Sequence, residues 1–272
     1  MADRVALEIR DGVADIRLVR AEKMNALDDA MFEALIATGD RLRRERGVRA
    51  AVLSGEGRAF CAGLDMGSFA KMGSAPDSRP GPQREGSGRL EQRTHGIANG
   101  PQYAAWVWRE VPVPVIAAVH GVAFGGGFQV MLGADMRYLA PDTRLCVMEM
   151  KWGLVPDMAG TQLMRHLARE DVVRELTYTG RIFGADEALS LGFATRICDD
   201  PREAALETAR EIASKSPEAV RAAKRILNEA PYVDAAGGLL SESREQDRLI
   251  GRPNQIEAVK ANLEKRAPDF QD

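Results

Sequence analysis

The chain has 272 residues, 45% of them hydrophobic and 28% charged, the composition of an ordinary globular protein of one large domain or a domain with an appended piece. A net charge of −3 supplies no basic field for a nucleic-acid backbone, and no Lys/Arg stripe is interleaved with aromatic residues. Apolar runs such as VPVPVIAAVHGVAF are broken by Pro and Gly and fall short of a bilayer span, and the charged start MADRVALEIRDG does not read as a signal peptide, so a cytoplasmic protein that binds neither membrane nor nucleic acid is expected.

In chain order, VALEI and VADIRLV alternate apolar and polar residues across Arg10-Asp11-Gly12 and predict a hairpin. LDDAMFEALIATGDRLRRER has helical spacing through Met31, Leu35 and Leu42, with Asp28 and Asp29 near its start. VRAAVLSG predicts a short buried strand ending at Gly55, followed by the irregular EGRAFCAGLDM. Residues 67–100, rich in Gly, Ser, Pro and Arg, predict a mobile surface insertion followed by helix. PVIAAVHG predicts the next strand, running into Gly125, Gly126 and Gly127 and an apolar helix; MRYLAP and RLCVM are further strands. From about Thr161 the chain reads as almost wholly helical, with starts at Asp171, Ala185, Pro201, Pro217 and Asn254. Strand–helix alternation followed by helices argues for an α/β core and a helical C-terminal segment, divided here at residues 1–200 and 201–272.

Three consecutive glycines are entropically costly and imply a close approach to bare backbone. A strand, a Gly-rich turn and a helix start present main-chain N–H groups to an oxygen that becomes anionic, although a tight packing junction has the same signature. The spacing is not GxGxxG and no Lys-Ser/Thr follows, which argues against dinucleotide and P-loop phosphate sites. FCAGLDM forms a second Gly turn after the preceding strand, and two such turns delivering one N–H each suit an enolate oxygen; an ordinary left-handed turn at Gly63 is the simpler alternative. Cys61, Cys146 and Cys198 lack metal or disulfide spacing, and His95, His120 and His166 are scattered, so no metal site is expected.

Six stretches, NAL (Asn25–Leu27), FCAGLDM, PVIAAVHGVAFGGG, GLVPDMAGTQ, TGRIFGADEALSLGFATRI and EKRAPDF, resemble in content and order the crotonase, or enoyl-CoA hydratase/isomerase, superfamily. The resemblance implies an α/β fold with a β-β-α spiral core, a helical C-terminal trimerisation region, and a homotrimer or a hexamer formed as a dimer of trimers. It implies an acyl-CoA thioester substrate, with coenzyme A part of the substrate and no separate cofactor. By the same resemblance the N–H groups of Leu64 and Gly126 form an oxyanion hole. Lys23, Met24, Ala26, Leu64, Asp65, Met66 and Gly126 lie along the CoA moiety, and Lys265 reaches it from a neighbouring subunit.

Family hydratases place one glutamate two residues after the last of the three glycines and another twenty further on; here these are Gln129 and Glu149. Gln129 neither takes up nor releases a proton near neutral pH. Asp157 lies eight residues beyond Glu149, where the family's dienoyl-CoA isomerases carry an acid. The expected reading is therefore double-bond isomerisation, with Glu149 and Asp157 moving protons and Gln129 a third catalytic candidate. The alternatives are an enoyl-CoA hydratase in which Gln129 positions water for Glu149, other thioester chemistry, and a non-catalytic acyl-CoA-binding subunit. Asp157 as a helix N-cap, Glu149 as an ion-pair partner and Gln129 as an ordinary first-turn residue are the structural alternatives.

Overall fold

A computed structural model describes residues 4–67 and 89–272. Strands β1 (Val5–Arg10) and β2 (Val13–Leu18) pair antiparallel with Val5 opposite Leu18. Asp11 and Gly12 both have positive φ (49° and 78°), the condition for a two-residue primed turn. Helix α1 (Asp29–Arg44) is capped by Asp28, whose side chain accepts from the Met31 N–H at 2.9 Å. Its Met31, Leu35 and Leu42 are buried at the expected spacing. Strand β3 (Ala50–Gly55) lies parallel to β2. The insertion expected over residues 67–100 falls mostly outside the described residues; from residue 89 a short turn leads into α2 (Gly100–Glu110), which starts with an Asn99/Gln102 capping box.

The stretch PVIAAVHGVAFGGG is two strands rather than one. Strand β4 (Val115–Val119) ends before a turn at Gly121, where φ is 62° and a Cβ would stand 2.1 Å from the Arg58 carbonyl. The chain then enters a different sheet as β5 (Val122–Phe124), and only β5 runs into the glycines and α3 (Gly126–Leu132). Strands β6 (Met136–Leu139) and β7 (Arg144–Cys146) repeat this switch, and a 3-10 turn over Met148–Trp152 follows. Next come α4 (Gly160–Met164), α5 (Glu170–Thr179), β8 (Phe183–Gly184), α6 (Ala185–Leu191) and β9 (Arg196–Ile197). Helices α7 (Pro201–Ala213), α8 (Pro217–Glu229), α9 (Ala235–Leu249) and α10 (Pro253–Glu264) complete the chain. The helical reading beyond Thr161 missed β8 and β9, each two residues long and too short for an alternating pattern.

The strands form one sheet in the order β1-β2-β3-β4-β6-β9 and another in the order β5-β7-β8, with Cys61 joined to the second through a bridge to Ala123. Each turn of the chain thus visits the large sheet, then the small one, then an irregular segment or helix. Three successive turns, after β3, β5 and β7, deliver Leu64, Gly126 and Glu149. Period-two alternation sorts the large sheet's faces. Ala14, Ile16, Leu18, Ala51, Leu53, Val115, Ala117 and Val119 join the main core. Val13, Ala50, Val52, Ile116 and Ala118 face Ala205, Ala209 and Ala213 of α7, whose small side chains at helical spacing bring the helix close to the sheet. That helix seals the sheet's second face, so no break in packing falls at residue 200.

Lys224 on α8 is buried and donates to the carbonyls of Trp108 and Val113 (3.0 and 2.9 Å) and to Asp135 Oδ2 (2.8 Å). Asp135 also accepts from the Val115 N–H at 2.7 Å. One ammonium therefore pins α8 to the end of α2 and the start of β4 with all three donors used. Lys224→Met is expected to cost about 3 kcal/mol or more of unfolding free energy, because it strands a part-buried carboxylate and two carbonyls. Urea denaturation measures this, and a loss below about 1 kcal/mol would show that the anchor is dispensable.

Candidate active site

The glycines meet their neighbours at distances that leave no room for a side chain. A Cβ on Gly127 would lie 2.3 Å from the Cys61 carbonyl, and one on Gly126 2.7 Å from Leu27 Cδ1 and 2.8 Å from Met158 Sδ. Gly125 has φ 50°, and its Cβ would stand 3.2 Å from Glu149 Oε1. Gly63 has φ 90°; its Cβ would be 2.6 Å from the Phe124 carbonyl and 3.7 Å from the Gly126 nitrogen. The left-handed turn at Gly63 is thus real, and it also presses directly on the start of α3. Leu27 donates to the Gly63 carbonyl (2.8 Å) and accepts from the Asp65 N–H (3.0 Å), a bridge that leaves the intervening Leu64 amide unused. Among the described residues neither the Leu64 nor the Gly126 N–H has a protein acceptor, the latter because it opens a helix.

Glu149 sits in the 3-10 turn after β7 and is 8% exposed. Gln129, fully buried on α3, donates through Nε2 to Glu149 Oε1 at 2.7 Å. The Gln129 carbonyl oxygen accepts from two main-chain amides, Met158 (2.9 Å) and Gly160 (2.8 Å). Glu149 Oε2 is buried without a hydrogen-bond partner. Burial raises the Glu149 pKa above the ordinary carboxylate value, hydrogen bonds from the main chain and Gln129 oppose the rise, and the charge of Asp157 adds to it.

Asp157 is exposed as a residue, yet the protein crowded around its carboxyl raises its pKa. It is not a helix cap: α4 starts after Ala159, in the left-handed region (φ 64°), with no side-chain cap from the local sequence. The acceptor for the Gly160 amide is Gln129, supplied across the site from another helix.

Of the residues expected along a CoA moiety, Lys23 is exposed in a 3-10 turn, Met24 is part-buried with φ 50°, and Ala26 is buried. Gly63, which precedes Leu64, packs against Phe124 and the Gly126 nitrogen, and Met66, two residues after Leu64, is 61% exposed. The Asp65 carboxylate accepts from the Gly67 amide (2.7 Å) and from Arg20 (2.7 Å), and these hydrogen bonds, the main-chain one foremost, hold its pKa below the ordinary value. It anchors the Leu64 turn. Lys265 ends α10 with φ 53°, and no hydrogen bond or ion pair among the described residues joins it to Leu64, Gly126 or Glu149.

Sequence reasoning missed Arg20, which also donates to the Ala26 carbonyl (3.0 Å), and the walls Leu27 and Met158. Only the NAL and PDMAG stretches in which the walls lie pointed there. Asn25, buried with φ 54°, accepts from the Arg20 amide and donates to the Glu56 and Ala59 carbonyls, fixing the strand-end loop. The Cys61 thiol donates to the Asn25 carbonyl, and burial pushes its pKa up to about 12, so it is inert as a nucleophile. The histidines are dispersed: His95 stacks on Tyr103, His120 contacts the Gly57 carbonyl, and His166 meets the edge of Tyr232.

A sequence model of the family described as "Enoyl-CoA hydratase/isomerase" matches residues 8–272. Methylglutaconyl-CoA hydratase, mitochondrial, from Mus musculus is 29% identical over 266 residues, 95% of this chain and 79% of that protein. The mitochondrial Delta(3,5)-Delta(2,4)-dienoyl-CoA isomerase of Homo sapiens is 35% identical over 216 residues, 78% of this chain and 64% of that protein's length. The crystal structure of an enoyl-CoA hydratase from Bacillus anthracis superposes with a TM-score of 0.85 at 30% identity, covering 98% of both chains.

The raised Glu149 pKa carries a stability consequence. In the unfolded chain this group titrates near about 4.3, whereas the fold favours its neutral form to higher pH. Ionisation therefore costs stability, beginning above the unfolded value and complete above the raised one. Glu149→Gln is expected to melt near the wild-type temperature at about pH 4 and above it at about pH 8. Melting curves across that range test this, and a variant less stable than wild type at the higher pH would contradict it.

Proposed function

The chain belongs to the enoyl-CoA hydratase/isomerase family, the crotonase superfamily, and from that premise we propose that it moves a double bond along an acyl-CoA thioester. In this reading the thioester oxygen lies against the Leu64 and Gly126 amides, which have no protein acceptor among the described residues. Glu149 takes a proton from carbon, the C–H electron pair enters the conjugated system, and the negative charge gathers on the thioester oxygen. A proton returned at another carbon, by an Asp157 that starts protonated in a long shift, the two carboxyls then re-equilibrating through solvent, or by Glu149 in a short one, discharges the enolate. One proton leaves and one arrives, so substrate and product have equal mass. Burial and the neighbouring Asp157 charge bring Glu149 towards the range in which it both accepts and donates.

The observation that carries the preference for isomerisation is the bonding of Gln129. Both lone pairs of its amide oxygen are committed to Met158 and Gly160, and its Nε2 faces Glu149. It keeps only its second Nε2–H as a donor and has no acceptor for a water's proton, so it cannot share the water's deprotonation as the hydratase glutamate does. Hydration by Glu149 alone is the second reading, favoured by the likeness to methylglutaconyl-CoA hydratase.

Self-association belongs to the same proposal. Helices α9 and α10 expose Leu239, Leu240, Ile256, Val259 and Leu263, an apolar surface that an oligomer would bury, and Lys265 stands at the end of α10 for a neighbour's CoA.

Incubation with 2-enoyl-, 3-enoyl- and 3,5-dienoyl-CoA thioesters, followed by ultraviolet absorbance and product mass, separates the two readings. Isomerisation leaves the mass unchanged, and a product heavier by one water would overturn the preference. Glu149→Gln is expected to lower kcat by about 10³-fold with little change in affinity for a CoA ester. Asp157→Asn is expected to impair isomerisation more than any residual hydration, and equal rates for both variants and wild type would remove the carboxylates from the chemistry.

A further inference from the structure

Glu149 has two chemically different oxygens. Oε1 receives the Gln129 N–H at 2.7 Å, and Oε2 is buried and bare. The Gln129 amide cannot be turned round, because its oxygen receives the Met158 and Gly160 N–H groups; a flip would set an NH2 against two donors and an oxygen against a carboxylate. The donor to Oε1 is thus dictated by the main chain of the segment that also carries Asp157.

We infer that Gln129 is a positioning residue that reserves Glu149 Oε2 as the single oxygen carrying the reacting proton and fixes Glu149 relative to the Asp157 segment. The inference rests on Glu149 being the proton carrier proposed above. As a base, the Oε2 lone pair forms the new O–H bond while the substrate C–H bond breaks and its electrons pass to the enolate. As an acid, that O–H bond breaks and the proton goes to carbon. Oε1 is the weaker base in both steps, since the Gln129 N–H already draws on one of its lone pairs. The titratable groups facing Glu149 are Asp157, whose charge reaches it, and Cys146 on β7, whose thiol is pushed up to about 11 by burial and by Glu149 itself.

The test compares wild type, Gln129→Glu and Glu149→Gln across pH. Gln129→Glu keeps an acceptor for the Met158 and Gly160 amides but places a carboxyl against Oε1. While that carboxyl holds its proton it donates as the amide did; once it loses the proton, the pair of carboxylates is the one family hydratases carry, and the proton is no longer reserved to Glu149 Oε2. The variant is expected to lose at least about tenfold in kcat for isomerisation, read as product of unchanged mass, on the alkaline side, where wild type keeps its plateau, with KM changed by less than about threefold. A residue that only caps α4 would leave the alkaline plateau intact, and that result overturns the inference. Full activity of Glu149→Gln would instead overturn the proposed function and this inference with it, whereas an inactive Glu149→Gln beside an unchanged Gln129→Glu sinks the inference alone. If Gln129→Glu does not fold, the wild-type minus Glu149→Gln infrared difference spectrum decides. An unsymmetrical carboxylate, with one oxygen bonded and one bare, has a wider separation of its two stretching bands than a solvated glutamate, and an ordinary separation overturns the inference.

Discussion

The site depends on the contact of two main-chain turns at a distance that only glycine permits. Gly63 presses on the carbonyl of Phe124 and the first amide of α3, while Gly127 presses on the carbonyl of Cys61. Side chains at either position would drive the turns apart by ångströms against a close-packed core. The contact brings the turn that carries Leu64 against the helix start that carries Gly126, and it explains why the chain bears the entropic cost of three glycines in a row. The two-sheet spiral exists, from the site's point of view, to bring three successive strand ends to this place.

Around that contact the polar chemistry is arranged so that one atom is left out. Gln129 satisfies Met158, Gly160 and half of Glu149, whereas Glu149 Oε2 has no partner. A buried carboxylate oxygen without a hydrogen bond is expensive, and folds seldom keep one without a use for it. Burial raises the proton affinity of this carboxyl, whose Oε1 lies beside Gly125 at the start of α3. Asp65, by contrast, is gripped by Arg20 and a main-chain amide and stays firmly ionised. Two acidic side chains of the site are thus tuned in opposite directions, Asp65 lowered by its hydrogen bonds and Glu149 raised by burial.

Much of this was legible in the sequence because it is locally encoded. The Asp11-Gly12 turn, the Asp28 cap, the Met31–Leu35–Leu42 stripe and the glycine pairs need only neighbouring residues to be read. The switch of sheets at Gly121 was not, because VIAAVHGVAF is apolar on both sides of His120-Gly121 and its break depends on the Arg58 carbonyl, far away in the chain. Asp157 has the sequence context of a cap, yet the cap of α4 arrives from Gln129, a long-range hydrogen bond that no local pattern announces. Gln129 looked like a lost acid; in three dimensions it is the joint between helix, loop and carboxylate. Arg20 escaped notice for the same reason, its partners Ala26 and Asp65 being gathered only by the fold.

The central claim is that the two unused amides receive a thioester oxygen. A crystal structure with a bound, unreactive acyl-CoA analogue tests it most directly. The account requires the analogue's carbonyl oxygen within about 3.2 Å of both the Leu64 and Gly126 nitrogens, with Glu149 Oε2 facing the adjacent carbon. A carbonyl bound elsewhere, with those amides facing apart or turned to protein acceptors, would contradict it.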